Sequence, residues 1–219
     1  MIMNCRKFSP KGFTLIELMI AMVVGLVLLA AVYSVFNLQN KELSKQEQIA
    51  VMQDNAKMAM EMMTREIMMA GYGATSSLPR CVGTTMATNT PCVGITAANA
   101  NTISFSADLD NSGSITSSGS NENITYDLYT SAASGVQVLG RSSNGGTHQP
   151  VVENIYPSGT EPALAFTYLK ADGSSTTDLS LIRSIQIVIT ARTANVDQNT
   201  GNYRYITLKS NVTPRNLGL

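Results

Sequence analysis

Apolar side chains crowd the first quarter of the chain and then change rhythm twice. From Phe13 to Phe36 the sequence FTLIELMIAMVVGLVLLAAVYSVF runs for 24 residues with a single charge, Glu17. As an α-helix it spans about 36 Å, enough to cross a bilayer core of about 30 Å. From Lys41 to Ala70 there is neither Pro nor Gly. Ile49, Met52, Ala56, Met63, Ile67 and Ala70 fall on one helical face there, and Asp54, Lys57, Glu61 and Thr64 on the opposite one. The spacing predicts a helix that continues beyond the apolar run, buries one side and stops at Gly71-Tyr72-Gly73. Met58, Met62 and Met69 form a second, narrower stripe, either filler at the core edge or an adaptable contact with neighbouring molecules.

Beyond residue 100 the period becomes two. Ile103 with Phe105, Asn123–Tyr129, Val136–Leu139, Leu164–Leu169, Ile182–Ala191 and Tyr203–Leu208 are strand candidates. The clearest is Ile185-Gln-Ile187-Val-Ile189-Thr-Ala191, with one face for a core and one for solvent. Clusters of Gly, Asn and Ser separate the runs, and Ala171-Asp172-Gly173 has turn chemistry. The expected class is α+β: a long N-terminal helix packed by its second half on an antiparallel β-sheet.

Charge gives the chain a direction. Arg6, Lys7 and Lys11 precede the apolar run with no acid among them, whereas Lys41, Glu42, Lys45 and Glu47 after it have mixed sign. The positive-inside rule then puts the N-terminus in the cytoplasm and the body across the membrane. A secretory signal peptide fits poorly, because Val35-Phe36-Asn37-Leu38 offers no small-residue cleavage site. A signal anchor fits better but leaves Glu17 unexplained, since a carboxylate in hydrocarbon is costly unless paired. The whole chain is neutral, with fifteen basic and fifteen acidic residues. Without the three basic residues ahead of the run, twelve face fifteen, so no electrostatic case for nucleic acid arises.

Lys11-Gly12-Phe13-Thr14-Leu15-Ile16-Glu17, followed directly by the apolar run, resembles the processing site of type IV prepilins and type II secretion pseudopilins. The resemblance implies cleavage between Gly12 and Phe13 by a membrane prepilin peptidase, N-methylation of Phe13, and a role for Glu17 in assembly. Cleavage unmasks an amine at Phe13, one helical turn from Glu17, which pairs with its own or a neighbour's amine. The plainer alternative is a Glu17 that snorkels to the headgroups. Many major pilins carry a proline in this helix. Here none lies between Pro10 and Pro79, and Gly25 is the only local weakness in the run.

More loosely, Arg65–Tyr72, Asp108–Gly113, Ile124–Leu128, Ile182–Arg192 and Thr213-Pro214-Arg215-Asn216-Leu217 resemble PilW-like minor pilins. That implies a structural subunit that helps start or cap a pilus. Its partners would be the major pilin and other minor pilins, held in the inner membrane before assembly and at the cell surface after it. The J-class pseudopilin of type II secretion shares this plan, and an exported adhesin tethered by a signal anchor is the alternative of another class. The implied organisation is a leader at 1–12, a membrane and assembly helix at 13–36, its amphipathic continuation at 37–71 and a β-rich pilin body at 72–219.

Three cysteines are present: Cys5, in the leader, and Cys81 and Cys92. In an exported body Cys81 and Cys92 are expected to pair, and closing so short a loop contributes about 3 kcal/mol. In a reducing compartment they stay free thiols. Asp108-Leu-Asp110-Asn-Ser112-Gly113 resembles the first half of a calcium loop, with Asp108, Asp110 and Ser112 as the alternating oxygens. The twelfth position is Gly119 rather than glutamate, so the first reading is a polar turn with no cofactor; in the calcium alternative Glu122 or Asn121 closes the site. No enzyme is expected. The sole histidine, His148, lies in a turn-like Asn144-Gly-Gly-Thr-His, and no G-x-S-x-G or phosphate-binding glycine motif occurs.

Overall fold

The computed structural model describes residues 12–82, 91–115 and 121–218. The basic residues Arg6, Lys7 and Lys11, together with Cys5 and Gly119, lie outside the described residues. A single helix, α1 (Leu15–Met68), opens the described chain. By contact it falls in two units, Met1–Gln46 and Glu47–Leu219, taken in turn.

In the first unit, α1 is uninterrupted, and it is mostly apolar as far as Phe36. Every residue from Leu15 to Phe36 except Gly25 is exposed, and none of the apolar window is buried in protein. A 24-residue stripe of bare aliphatic side chains is stable in lipid or against other helices, not in water.

In the second unit the helix buries one face. Met52, Ala56, Ala59, Met60, Met63, Ile67 and Ala70 are in the core, while Asp54, Lys57 and Glu61 are exposed, as the helical period requires. The α-helix stops at Met68 rather than Ala70 because its end tightens. Met69 N donates to Glu66 O and Ala70 N to Ile67 O, both i to i+3 bonds. Gly71 then takes a positive φ of 83° and donates to Ser106 O, turning the chain onto the sheet.

Eight strands follow among the described residues: β1 (Gly94–Ala98), β2 (Ile103–Ser106), β3 (Asn123–Thr130), β4 (Gln137–Ser143), β5 (Gln149–Glu153), β6 (Leu164–Leu169), β7 (Ser184–Arg192) and β8 (Tyr205–Val212). All neighbouring pairs are antiparallel. They form not one sheet but two, a five-stranded one in the order β1-β2-β3-β4-β5 and a three-stranded one in the order β6-β7-β8. The single sheet expected from the period is thereby corrected. The physical reason is the segment between β5 and β6, which leaves the first sheet's edge instead of returning along it. There Ile155 bridges to Ala191 and Tyr156 N donates to Thr190 O, so the chain crosses to the second sheet. Tyr168 ties the two together, its hydroxyl donating to the carbonyls of Asn99 (3.0 Å) and Thr102 (3.3 Å).

One apolar core serves the helix and both sheets. Phe105, Ile124, Tyr126 and Leu139 come from the first sheet, and Leu164, Phe166, Ile185, Ile187 and Ile189 from the second. On β7 the alternation is Ile185, Ile187, Ile189 in and Gln186 out. β7 starts at Ser184 rather than at the expected Ile182, because Ile182 caps the 3₁₀ turn Leu179–Leu181, which Asp178 opens. Cys81 and Cys92 are joined by a disulfide and both buried, just ahead of β1.

Candidate functional site: the helix start and the acidic loop

The predicted processing residues stand at the entrance to α1. Gly12, Phe13 and Thr14 are non-helical and exposed, Phe13 at 90%, so the Gly12–Phe13 bond lies in exposed chain ahead of the helix. Thr14 is the residue before the helix and Glu17 its third residue. Glu17 Oε2 accepts from Thr14 N and from Thr14 Oγ1, each at 2.9 Å, while Glu17 N donates to Thr14 Oγ1 at 3.3 Å. This reciprocal pair is a capping box. Its signature, Thr-x-x-Glu ahead of an apolar run, is written in the sequence beside the charge of Glu17. The carboxylate makes no ion pair among the described residues, and it points back toward the backbone of the residue that follows Phe13.

The second predicted site is the loop after β2. Gly73, at φ 79°, is pressed against it, since a side chain there would come within 2.6 Å of Asp108 Cβ. Tyr72 O accepts from Asp108 N at 3.0 Å. Asp108 is buried and accepts from Ser112 N (3.0 Å) and Gly113 N (2.8 Å). Glu122, also buried, accepts from Leu109 N at 3.2 Å. One carboxylate oxygen each from Asp108, Asp110 and Glu122 lies within 4.8 Å of the others. Thus the fold brings in Glu122, the closing acid considered for the calcium alternative. The Ser112 amide donates to Asp108 and Asp110, and its hydroxyl to Ser114 O at 3.2 Å. Asn121 is exposed beside the loop.

A third cluster had no signal in the sequence. Glu66 on α1 meets Tyr126 on β3 and its cross-strand neighbour Arg141 on β4, 60 and 75 residues further along the chain. Tyr126 Oη donates to Glu66 Oε2 at 2.6 Å, and Arg141 Nε donates to both Glu66 oxygens at 3.1 and 3.0 Å. Burial, then the Glu66 bond and charge, push the Tyr126 phenol far above its ordinary range. Burial alone would lower Arg141, but Glu66 outweighs it and holds the guanidinium above its ordinary value. His148 is exposed, in the segment that follows the turn at Asn144-Gly145. It lies just ahead of β5, with Nε2 2.9 Å from Asp127 Oδ2 and its ring against Tyr129.

The model of the prokaryotic N-terminal methylation motif matches residues 8–33. That motif is of the type IV prepilin kind, and it ends well before the body begins. No curated protein and no solved structure matches the chain. The chain carries this motif ahead of a pilin-like architecture, one long N-terminal helix followed by antiparallel sheets, and its apolar helix suits membrane anchoring.

Proposed function

We propose that the chain is a structural minor pilin that helps start or cap a type IV pilus, of the PilW-like kind. The methylation motif lying over an exposed Gly12–Phe13 bond carries this reading. A peptidase needs a bond that is accessible and outside regular helix, and the capping box fixes where the helix begins. After cleavage the Phe13 amine sits beside the start of α1, within reach of a neighbour's Glu17 in a bundle of such helices. The subunit waits in the inner membrane, N-terminus cytoplasmic and body periplasmic, and its partners are prepilin peptidase, the major pilin and other minor pilins. The body is not enzymatic in this reading. The same features serve a J-class pseudopilin, and no residue described here favours it.

The test is the intact mass of the protein recovered from cells that contain a prepilin peptidase. Loss of the first twelve residues and one methyl group on Phe13 is the expected result. A chain that keeps its first twelve residues under those conditions rejects the subunit role and leaves a tethered β-domain.

We further propose calcium as the second reading of the acidic loop, supported by the convergence of Asp108 and Glu122, both buried, with Asp110. Calcium takes clustered carboxylate oxygens at 2.3–2.6 Å. At a hundredfold excess over Kd a ligand stabilises the fold by about 2.7 kcal/mol. For a domain of this size that is a rise in Tm of roughly 5–10 °C. Calcium is expected to produce such a rise and magnesium a smaller one, with the effect lost in Asp108→Asn. An unchanged Tm in calcium leaves the loop a polar turn held by its own amides.

A further inference from the structure

β7 turns Ile185, Ile187, Ile189 and Ala191 to the core, so Arg192, its last residue, is on the outward face of the second sheet. Tyr205 of β8 lies directly across from it and is 41% exposed. Tyr156 approaches from the segment that crosses between the sheets, its N donating to Thr190 O. The Arg192 guanidinium carbon sits 3.6 Å from the centre of the Tyr156 ring and 3.9 Å from that of Tyr203. Two rings this close to one carbon occupy the two faces of its plane. The Tyr156 ring is itself fixed, since its hydroxyl accepts from Gln137 N at 2.9 Å.

Only the edges of the guanidinium are left. Nε is buried and has no hydrogen-bond partner among the described residues. A buried donor is normally satisfied, so the rings, and not hydrogen bonds, set the position of this group. Nη1 and Nη2 also lack a protein acceptor, but they are open to solvent, and no acid among the described residues comes within ion-pair distance of them. The two basic residues nearest after Tyr203 along the chain already hold acids, Arg204 with Asp197 at 2.7 Å and Lys209 with Glu161 at 2.8 Å. Arg192 therefore presents a two-nitrogen fork that is held rigid, open and without an acid of its own.

We propose that Tyr156, Arg192 and Tyr203 form a docking point for a single carboxylate, carried on an acidic side chain of a neighbouring protein molecule. Covered on both faces, the guanidinium has no room for a further stacking group such as an aromatic ring or a base. Recognition runs in the plane of the fork, where a carboxylate accepts two parallel bonds. One positive charge matches one carboxylate, whereas a phosphate brings nearly two negative charges. The outward position makes the fork reachable from another molecule, and tyrosine with arginine is the usual make-up of the anchors of protein contacts. Holding the fork between rings before binding removes the ordering cost that a free arginine side chain bears. The site rests on the geometry of the body and not on the filament reading.

Full-length protein labelled with ¹³C in the tyrosine rings, held in lipid nanodiscs at neutral pH, is titrated with N-acetyl-aspartate α-amide, whose one carboxylate is on the side chain. Parallel titrations use the uncharged N-acetyl-asparagine α-amide and inorganic phosphate. The acid is expected to shift the Tyr156 and Tyr203 rings saturably in the millimolar range and to leave the core rings of Tyr126 and Tyr168 in place. It is expected to bind at least about fivefold more tightly than the amide, and phosphate no more tightly than the acid. Equal response to acid and amide, no response to either, or tighter binding of phosphate overturns the proposal. Arg192→Lys keeps the charge but removes the fork, and is expected to weaken the acid at least about threefold with the Tyr126 and Tyr168 signals unmoved. Unchanged binding in that variant also overturns it. If its core ring signals show that it misfolds, the comparison of acid with amide on the unaltered protein decides.

Discussion

Glu17→Ala is expected to lower incorporation of the subunit into filaments by about two orders of magnitude while leaving membrane insertion intact. In a bundle of apolar helices the unmasked Phe13 amine and the Glu17 carboxylate neutralise one another. Removing the carboxylate leaves an amine in a low-dielectric surrounding, at a cost of about 3 kcal/mol. At 1.4 kcal/mol per factor of ten, that is roughly a hundredfold. The capping box supplies a rival cause, because Glu17 also closes the first turn of α1 through Thr14. Loss of a cap costs about 1 kcal/mol. Glu17→Gln separates the two, since glutamine serves as well at that position of a capping box but carries no charge. Quantifying the variants in sheared filaments against the membrane pool should show Gln as defective as Ala. If Gln assembles like the wild type, the carboxylate acts as a cap and the charge pairing is wrong.

How far the sequence could be read depends on whether a feature is local. The α1 core face follows from a 3.6-residue period, and Met52, Ala56, Met63 and Ile67 are buried where the period puts them. β6 runs from Leu164 to Leu169 as its alternation requires. β1 and β5 left no such trace. β1 is Gly-Ile-Thr-Ala-Ala, too small-sided for an apolar alternation, and β5 carries Pro150, which an edge strand tolerates and a central strand does not. The split into two sheets is a matter of long-range pairing, which no period records. The same holds at the sites. The Thr14–Glu17 box and the Asp108 loop are spelled by neighbours in the chain, whereas Glu122 joins that loop only because β3 starts beside it. The Glu66–Tyr126–Arg141 cluster needs three separate elements to meet.

That cluster sets the largest expected effect on the stability of the body. Glu66→Ala removes the acceptor for both the Tyr126 hydroxyl and Arg141 Nε, and leaves the guanidinium of Arg141, a residue only 8% exposed, without its counter-charge. Breaking a buried pair costs 3–5 kcal/mol. The Glu66 side chain keeps 22% exposure, which places the expected loss at the lower end, about 3 kcal/mol. For a domain of this size that lowers Tm by roughly 6–12 °C. Tyr126→Phe removes one bond to a charged acceptor and should cost about 1.5–3 kcal/mol. The double variant Glu66→Leu, Arg141→Met removes both charges together, and since a buried ion pair only breaks even against apolar side chains of similar volume, it should be far more stable than Glu66→Ala. Thermal unfolding of the three variants distinguishes the causes. A double variant no better than Glu66→Ala would mean that the loss comes from packing rather than from the stranded charge of Arg141.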